Sequence, residues 1–329
     1  MGNSPKKLNR GEFFLTLTII MSLIRNKNGE FVVKLGNWTI RGKSQGGKET
    51  AIIIEELSIV FDMGYQPEKI EAIQNVLISH GHCDHIGCLH FCHANRKLQN
   101  IKLPWMVVMP QCYMAPFKVF ATAMSSMGCG GYPKAFAECQ FLDEKDSTVT
   151  IKPYDKLVID KFIESEQCKD LPLIHKSNYF VTAHEMKHKI TSYGYIITEK
   201  RQKLKKEYLS LKGPEIKKLK SEGIEIQETI NLPLIAFTGD TNIHAVLDCP
   251  DFLMSEILIM ECTHFDDTIE NAESHGHIHF QQIVENIDKF QNKWIILCHL
   301  SQKYRKIEDI AEYLEVLTDE QRKRIIVWI

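Results

Sequence analysis

The densest group of chemically active side chains in this chain of 329 residues is the segment SHGHCDH, which runs from Ser79 to His85. It follows the apolar run NVLI, which is typical of a buried strand. Imidazole nitrogens and carboxylate oxygens are ligands of zinc and related metals. Since alternate residues of an extended segment point to the same side, His80 and His82 can face one ion while Asp84 and His85 turn toward a second. The segment therefore predicts a metal site.

Two metal ions need more ligands than this segment supplies. A ligand from elsewhere in the chain must come from a place that the fold brings to the same site, such as the end of another strand. Three polar residues lie beside apolar β-type runs in this way: His188, Asp240 and His299. We expect these three side chains to join the segment and complete a dinuclear site.

The elements that must position these residues are short apolar runs alternating with helical patterns. The predicted strands are Ala51–Ile54, Leu57–Phe61, Asn75–Ser79, Met106–Met109, Tyr179–Thr182, Tyr193–Thr198, Leu234–Thr238, Ile257–Glu261 and Trp294–Cys298. The predicted helices are Ile86–Leu98, Tyr113–Met127, Phe280–Phe290 and Ile307–Leu317. This alternation favours a layered α/β fold, and the absence of repeats and of Pro- or Ser-rich linkers favours one domain.

Composition limits the class of protein. A content of 44% hydrophobic and 25% charged residues excludes a disordered, collagen-like or coiled-coil chain. A net charge of −2 neither indicates nor excludes a polyanionic partner, so any surface for nucleic acid must be local. The ten cysteines are irregularly spaced and include no C-x-x-C pair, which predicts reduced thiols in an intracellular, cytoplasmic protein.

Residues 1–34 are expected to form an N-terminal extension or strand, before one domain over residues 35–329. The apolar run Phe13–Ile24 follows basic residues, as in a secretory signal, but it is too short to span a bilayer and no small-residue cleavage site follows it. We expect it to pair as a strand with Glu30–Leu35, and we expect no association with a membrane. A signal or anchor, or a dispensable extension, remains the alternative.

The segment of residues 200–222 differs from the rest of the chain in its charge. It contains nine basic and three acidic residues, a local charge of +6 by subtraction. Such an insert is either a surface that contacts phosphate groups or a solvated helix face, and the sequence favours neither strongly.

The order of these motifs resembles the metallo-β-lactamase superfamily and, more narrowly, the short form of ribonuclease Z, the tRNA 3′-processing endonuclease. The pattern H-x-H-x-D-H marks the superfamily, whereas the H-x-H pair at His277 and the ending LCHLSQKY resemble the ribonuclease Z branch. The resemblance runs from about Gly36 to the last residue. It implies an αββα four-layer sandwich, in which two sheets pack face to face with helices outside and metals at one edge.

The resemblance also implies how the ligands are shared between two zinc ions, with manganese or iron as other possible metals. His80, His82 and His188 would hold one ion. The second ion would bind to the remaining ligands, and one carboxylate would bridge both: Asp84, His85 and His299 for the second ion, and Asp240 as the bridge. Asp84 is predicted to act in catalysis as well as in metal binding.

Glu261 and His277 resemble the acid and base pair of the family, a histidine that a carboxylate prepares to protonate the leaving ribose oxygen. The expected reaction is phosphodiester hydrolysis by a hydroxide that bridges the metals, which leaves a 3′-hydroxyl and a 5′-phosphate. A positioned general acid contributes about 100- to 10,000-fold to such a step.

The expected partners are precursor tRNA or another RNA, and a second copy of the chain in a homodimer. The long arm with which many relatives grip tRNA is not evident, and the Lys-rich insert stands in its place. Lys303 stands where the family usually has Arg. Three alternatives stay open: a less specific RNA or DNA nuclease, a hydrolase of β-lactams, lactones or thioesters, and a non-catalytic RNA-binding protein.

Overall fold

The fold is built on two β-sheets, as seen in a computed structural model that describes residues 24–128 and 161–329. The first sheet contains, in order, β1 Ile24–Arg25, β2 Phe31–Leu35, β3 Trp38–Gln45, β4 Glu49–Ile54, β5 Ile59–Phe61, β6 Asn75–Leu77, β7 Met106–Met109 and β8 Lys161–Glu164. Strands β1 to β5 pair antiparallel, and β5 to β8 pair parallel.

The second sheet repeats this plan. It contains β9 Leu171–Leu173, β10 Lys176–Met186, β11 Ser192–Leu204, β12 Gln227–Phe237, β13 Ile257–Glu261, β14 Trp294–Cys298 and β15 Ile325–Val327. Strands β9 to β12 pair antiparallel, and β12 to β15 pair parallel. The parallel strands β5, β6 and β7 of the first sheet and β13, β14 and β15 of the second are short and almost fully buried, which explains their continuous apolar runs.

The α-helices lie in the connections. They are α1 Cys83–Ile86, α2 Leu89–Leu98, α3 Gln111–Gly128, α4 Gly213–Ser221, α5 Ile243–Leu247, α6 Pro250–Met254, α7 Ile269–Ser274, α8 Phe280–Glu285, α9 Ala311–Leu314 and α10 Asp319–Arg324. No helix in residues 24–128 and 161–329 is both long and apolar enough to cross a membrane.

The inner faces of the two sheets form one core. Phe61 of the first sheet stacks on Phe237 of the second, with ring centroids 4.9 Å apart. The buried Tyr195 hydroxyl donates a hydrogen bond of 2.6 Å to the carbonyl of Ile78, which also ties the sheets together. Because apolar side chains from both sheets share this cluster, the sheets are packed face to face.

Each outer face carries its own helical layer. On the first sheet, Ile53, Val76 and Val107 pack with Leu89 of α2 and Phe117 of α3. On the second sheet, apolar strand residues pack with members of the later helices, among them Val246, Phe252, Ile283 and Leu314. The order of layers is therefore helix, sheet, sheet, helix, and the expected αββα sandwich is confirmed.

Most predicted elements are present, with three corrections at their ends. Leu57 belongs to a 3-10 turn, because Ser58 adopts a left-handed conformation and the strand starts only at Ile59. The first helix begins at Cys83, inside the histidine segment, and is followed by a separate helix from Leu89. The last two predicted helices are shorter than expected and include 3-10 turns.

The ends of β11 and β12 extend the second sheet beyond its packed core. Residues 198–204 pair with residues 227–233, and the Lys-rich segment connects the two strands through α4. Near the other end of the chain, Ile24 and Arg25 pair with β2. The strand expected over Phe13–Ile24 lies, apart from Ile24, outside the described residues.

The stack between the sheets generates a stability prediction. We expect Phe61→Ala to lower the free energy of unfolding by about 3–5 kcal/mol, because it leaves a cavity between two sheets that cannot close together. Urea-induced unfolding measures this. An alanine substitution at Val316, which is 64% exposed, is the control and is expected to cost less than about 0.5 kcal/mol. Equal effects at both positions would contradict the packing described above.

Candidate metal centre

The carboxyl ends of parallel strands from both sheets meet at one edge of the sandwich. Asp62 follows β5 and His80 follows β6 in the first sheet, while Asp240, Glu261 and His299 follow or end β12, β13 and β14 in the second. Parallel strands place their carboxyl ends on the same side, so the chain collects polar side chains there without breaking the apolar core.

Left-handed backbone conformations turn the chain at three of these strand ends. Asp62 has φ 60°, His299 has φ 59° and Gly239 has φ 60°. A non-glycine residue in this region costs on the order of 1–3 kcal/mol and persists only where its surroundings fix it. The Asp62 carboxylate is fixed by the backbone N–H of Ser79, which donates a hydrogen bond of 2.7 Å to it.

The seven residues predicted as metal ligands come together in two neighbouring groups. Ligand atoms of His80, His82, His188 and Asp240 lie within 4.8 Å of one another, and so do those of a second group that consists of Asp84, His85 and His299. Within the second group, His85 Nε2 lies 3.1 Å from His299 Nε2. The structure therefore brings these seven side chains together, as the sequence analysis predicted, while their role as metal ligands stays a prediction.

The Asp240 carboxylate lies between the two groups. Its Oδ2 is 3.6 Å from Nε2 of His80 and 3.4 Å from Nε2 of His299, and its Oδ1 is 3.4 Å from Nε2 of His85. A carboxylate that lies against histidines of both groups is placed where a bridging ligand would lie.

Hydrogen bonds at the other ring nitrogen determine which atom each histidine presents to the centre. His188 Nδ1 lies 2.9 Å from the carbonyl of Gly276, which can only accept. His85 Nδ1 donates to the Asp62 carboxylate at 2.7 Å. His80 Nδ1 lies 2.9 Å from Oγ of Ser79, whose hydroxyl already donates to Asp62. Each of these Nδ1 atoms therefore carries a proton, and each Nε2 atom faces the centre.

Two atoms at the centre are buried and have no hydrogen-bond partner within the described residues: Nε2 of His188 and Oδ1 of Asp240. A buried acceptor without a donor costs about 1–3 kcal/mol, and the neighbouring acceptors make the arrangement worse. A cation satisfies all of these lone pairs at once. The residues present thus fit a divalent metal, and the donor set of imidazoles and carboxylates suits zinc and its neighbours.

Burial and neighbouring charges shift the pKa values of these groups in opposite directions. Burial opposes ionisation of Asp240, but the histidines around it, His299, His85 and His80, hold the pKa of this carboxyl well below its usual range. Burial and the neighbouring His85 lower the pKa of His80 well below that of an ordinary histidine. The Asp240 carboxylate therefore stays charged, and the His80 imidazole stays neutral and able to bind a metal.

A second polar arrangement lies at the rim of the two groups. His277 Nδ1 lies 2.9 Å from Oε1 of Glu261, whose side chain is 1% exposed. Burial would lower the pKa of His277, but the Glu261 carboxylate outweighs burial and raises it to about 9. Ligand atoms of His277, Asp240 and His299 also lie within 4.8 Å of one another, so the His277 ring is close to the predicted metal ligands.

The sequence analysis assigned no role to Thr263, although it belongs to the short motif Glu261, Cys262, Thr263. Its hydroxyl donates to Oε2 of Glu261 at 2.7 Å and lies 3.3 Å from Nδ1 of His277 and 3.2 Å from Nδ1 of His299. Thr263 thus connects the rim pair to a predicted metal ligand. Its position two residues after Glu261 was the sequence feature that could have indicated this role.

Gly276 was also missed, and its conformation is specific. It has φ +75°, and a Cβ at this position would lie 2.8 Å from Nδ1 of His188. Only glycine leaves room for its carbonyl to accept from that ring. His279, which stayed without a role, caps helix α8 by accepting from the N–H of Gln281.

Comparison of the sequence with those of known proteins assigns the chain to a family. The chain is 35% identical over 288 residues to tRNase Z TRZ1 of Arabidopsis thaliana, which covers 86% of this chain and 92% of that protein. It is 32% identical over 298 residues to the chloroplastic tRNase Z TRZ2 of the same plant, which covers 89% of this chain and 76% of that protein.

Among solved structures, the human short-form tRNase Z shares 16% identity, covers 84% of this chain and 86% of its own, and superposes with a TM-score of 0.44. No family model matches the chain. The sequence relatives decide the assignment, because their similarity extends along most of both proteins. The chain belongs to the tRNase Z, or ribonuclease Z, family.

Proposed function

We propose that this protein is a metal-dependent endoribonuclease that removes the 3′ extension of precursor tRNA. The observation that carries the proposal is the pair of donor groups joined by Asp240, with the His277–Glu261 pair beside it, in a chain of the tRNase Z family. Two curated relatives of similar length are named as tRNase Z enzymes, which supports the same substrate class.

Two divalent cations, zinc first and manganese or iron as alternatives, would be held by the seven side chains described above. When bound, such ions supply positive charge that neutralises a phosphodiester and acidifies water. The chain itself supplies the ligand orientation. Asp62 accepts from His85, Ser79 contacts His80, and the carbonyl of Gly276 accepts from His188, so three of the rings are held before a metal arrives.

His277 would act as the proton donor to the leaving 3′-oxygen. Its Nδ1 proton is engaged by Glu261, so the proton that a substrate can receive is the one at Nε2. Glu261 in turn accepts from the N–H of Thr241 at 2.7 Å and from the hydroxyl of Thr263, which fixes its orientation. Asp84 accepts from the N–H of Gly47 at 2.8 Å, which holds its carboxylate beside His299. The products would carry a 3′-hydroxyl and a 5′-phosphate.

The Lys-rich extension of β11, α4 and β12 would contact the RNA backbone. Three of its cations pair with neighbouring acids: Lys200 with Asp170, Arg201 with Glu199, and Lys218 with Glu222. The other cations have no ion-pair partner in the described part of the chain and project from its surface, which leaves their charge available: Lys203, Lys205, Lys206, Lys212, Lys217 and Lys220. Contacts of this kind recognise the shape of a folded RNA more than its sequence.

We also propose a homodimer. Phe91 and Leu98 on α2, and Phe120 and Met124 on α3, are exposed apolar side chains on adjacent helices of the outer layer. An exposed apolar surface of this type is common where proteins associate. Sedimentation of the purified protein measures the state directly, and a monomer at micromolar concentration would contradict this part of the proposal.

The function itself is tested by comparing substrates. The metal-loaded protein is incubated with a 3′-extended tRNA precursor, an unstructured RNA, a DNA of the same length and a chromogenic β-lactam, and metal content is measured on the same preparation. Cleavage of the precursor at one position, with little turnover of the other three, supports the proposal. Equal cleavage of all nucleic acids would favour a less specific nuclease, and turnover of the β-lactam alone would overturn the proposal.

Removal of the shared carboxylate is expected to dismantle the site. Asp240→Ala should reduce the metal content from two ions to at most one per chain and should abolish cleavage, because the two groups lose their common ligand. Elemental analysis and a cleavage assay on one preparation measure both. Asp248→Ala, at an exposed carboxylate that pairs with Lys187, is the control and should change neither quantity. Full metal content with normal cleavage in Asp240→Ala would refute a dinuclear site.

Removal of the proton donor is expected to separate chemistry from metal binding. His277→Ala should retain both ions but lower kcat on tRNA by about 100- to 10,000-fold, since a ribose alkoxide leaves slowly without a proton. Bis(p-nitrophenyl) phosphate, whose leaving group is already stable as an anion, should be hydrolysed at nearly the normal rate. His275→Ala at the exposed neighbour is the control. An equally large decrease on both substrates would show that His277 is not the acid.

Neutralisation of the extension is expected to affect RNA binding alone. With Lys203, Lys205, Lys206, Lys217 and Lys220 changed to Gln, the slope of log K against log salt should fall by about 0.7–0.9 for each phosphate that the variant no longer neutralises. Hydrolysis of bis(p-nitrophenyl) phosphate should not change. The control changes five exposed lysines elsewhere, namely Lys34, Lys69, Lys289, Lys293 and Lys323. An identical slope in both variants would remove the extension from RNA binding.

A further inference from the structure

A cavity of about 430 Å³ lies beside the metal centre and shares a turn with it. Gln45 and Lys48, at the two ends of the turn between β3 and β4, line the cavity. Between them, Gly47 donates its N–H to Asp84, and a Cβ on Gly46 would lie 3.2 Å from the ring of His299. The same turn therefore forms part of the cavity wall and contacts two predicted metal ligands.

The cavity carries positive charge. Four cations line it, Arg25, Lys43, Lys48 and Arg305, against two carboxylates, that of Glu49 and the terminal one of Ile329, among the described residues of the wall, a balance of +2 by subtraction. Glu49 lies 3.7 Å from Nζ of Lys43 and 3.6 Å from Nζ of Lys48, so it compensates these two cations only in part.

The two arginines differ in their partners. Arg25 donates to the carboxylate of Ile329, the last residue of the chain, and to the carbonyl of Gly29, and its guanidinium lies 4.0 Å from the centroid of the Phe31 ring. Arg305 is exposed, and within residues 24–128 and 161–329 no carboxylate lies at ion-pair distance from its side chain. The Arg305 guanidinium is therefore free to bind an anion, and guanidinium groups match phosphate oxygens in geometry.

One part of the wall is apolar and includes a donor without a partner among the described residues. Phe31, Leu300 and Trp328 line the cavity, and the Phe31 and Trp328 rings stack with centroids 5.6 Å apart. Trp328 is fully buried, and no acceptor in the described part of the chain reaches its Nε1–H. An indole N–H can only donate, so a buried one without an acceptor is costly unless a ligand supplies the acceptor.

We propose that this cavity binds one nucleotide of the RNA strand next to the cleaved bond. The cationic wall attracts a phosphate, whereas the volume is much larger than a phosphate ion needs and lies in the range of roughly 300–1,000 Å³ typical of sites for small organic molecules. The apolar wall suits a ribose and base, and the indole N–H suits an oxygen acceptor on either. Because the turn beside the cavity also contacts Asp84 and His299, a nucleotide bound there would lie next to the predicted metal centre, and the inference therefore rests on the proposed function.

The test uses uridine 5′-monophosphate as probe and the full-length, metal-loaded protein. Lys48→Gln with Arg305→Gln should weaken binding of the nucleotide by at least about tenfold, measured by calorimetry, because the variant cannot form two charge-assisted hydrogen bonds. Hydrolysis of bis(p-nitrophenyl) phosphate should stay unchanged, which shows that the variant is folded and loaded with metal. Lys289→Gln with Lys323→Gln makes the same change in charge at exposed sites away from the cavity and should bind the nucleotide normally.

A competition experiment separates the cavity from the metal centre. The mononucleotide should inhibit cleavage of RNA competitively without inhibiting hydrolysis of the small ester. Equal affinity in the cavity variant and the control overturns the proposal, and so does equal inhibition of both substrates, since the nucleotide would then bind at the metals. Failure to cleave any tRNA precursor would refute the proposed function, whereas nucleotide binding is measured without cleavage and tests the cavity separately.

Discussion

The structure depends on holding several hydrogen-bond acceptor atoms within a few ångströms of one another. Nε2 atoms of His80, His85 and His299 surround the Asp240 carboxylate, while Nε2 of His188 has no partner at all among the described residues. Such an arrangement is unfavourable without a cation, so the fold must provide the energy that keeps it assembled. The same feature makes the site selective, because a group that satisfies these acceptors must be positively charged.

The two sheets supply that energy through burial and hydrogen bonding close to the site. Phe61 and Phe237, which stack between the sheets, are followed within three residues by Asp62 and Asp240. Asp62 then accepts from the N–H and the hydroxyl of Ser79 and from His85, which joins two strand ends of one sheet. The apolar core thus positions polar groups just beyond its edge, and left-handed turns at Asp62 and His299 are tolerated there because both residues are held on every side.

The parallel and antiparallel parts of the fold have separate tasks. Parallel strands bring the predicted metal ligands and the His277–Glu261 pair to one edge, where burial strengthens electrostatic interactions. The antiparallel ends of β11 and β12, with α4 between them, extend away from the core and carry lysines without an ion-pair partner in the described part of the chain. The proposed contacts of these lysines with RNA would be individually weak and would depend on salt. The cavity beside the β3–β4 turn combines both kinds of environment, because exposed cations and buried apolar side chains line it.

Local patterns of residues were sufficient to predict the layered α/β class, the strands at Met106–Met109, Ile257–Glu261 and Trp294–Cys298, and the histidine segment, while His188, Asp240 and His299 were added by their places beside strands and by the family resemblance. They were sufficient because period-two or continuous apolar runs mark strands and the histidine spacing is specific. Which ring nitrogen each histidine presents depends instead on partners such as Gly276, which lie elsewhere in the chain. The contacts of Thr263 and the cavity beside the β3–β4 turn depend in the same way on how the chain is folded. These features join residues that are far apart in the sequence, and a local pattern of residues does not determine which distant residues will come into contact.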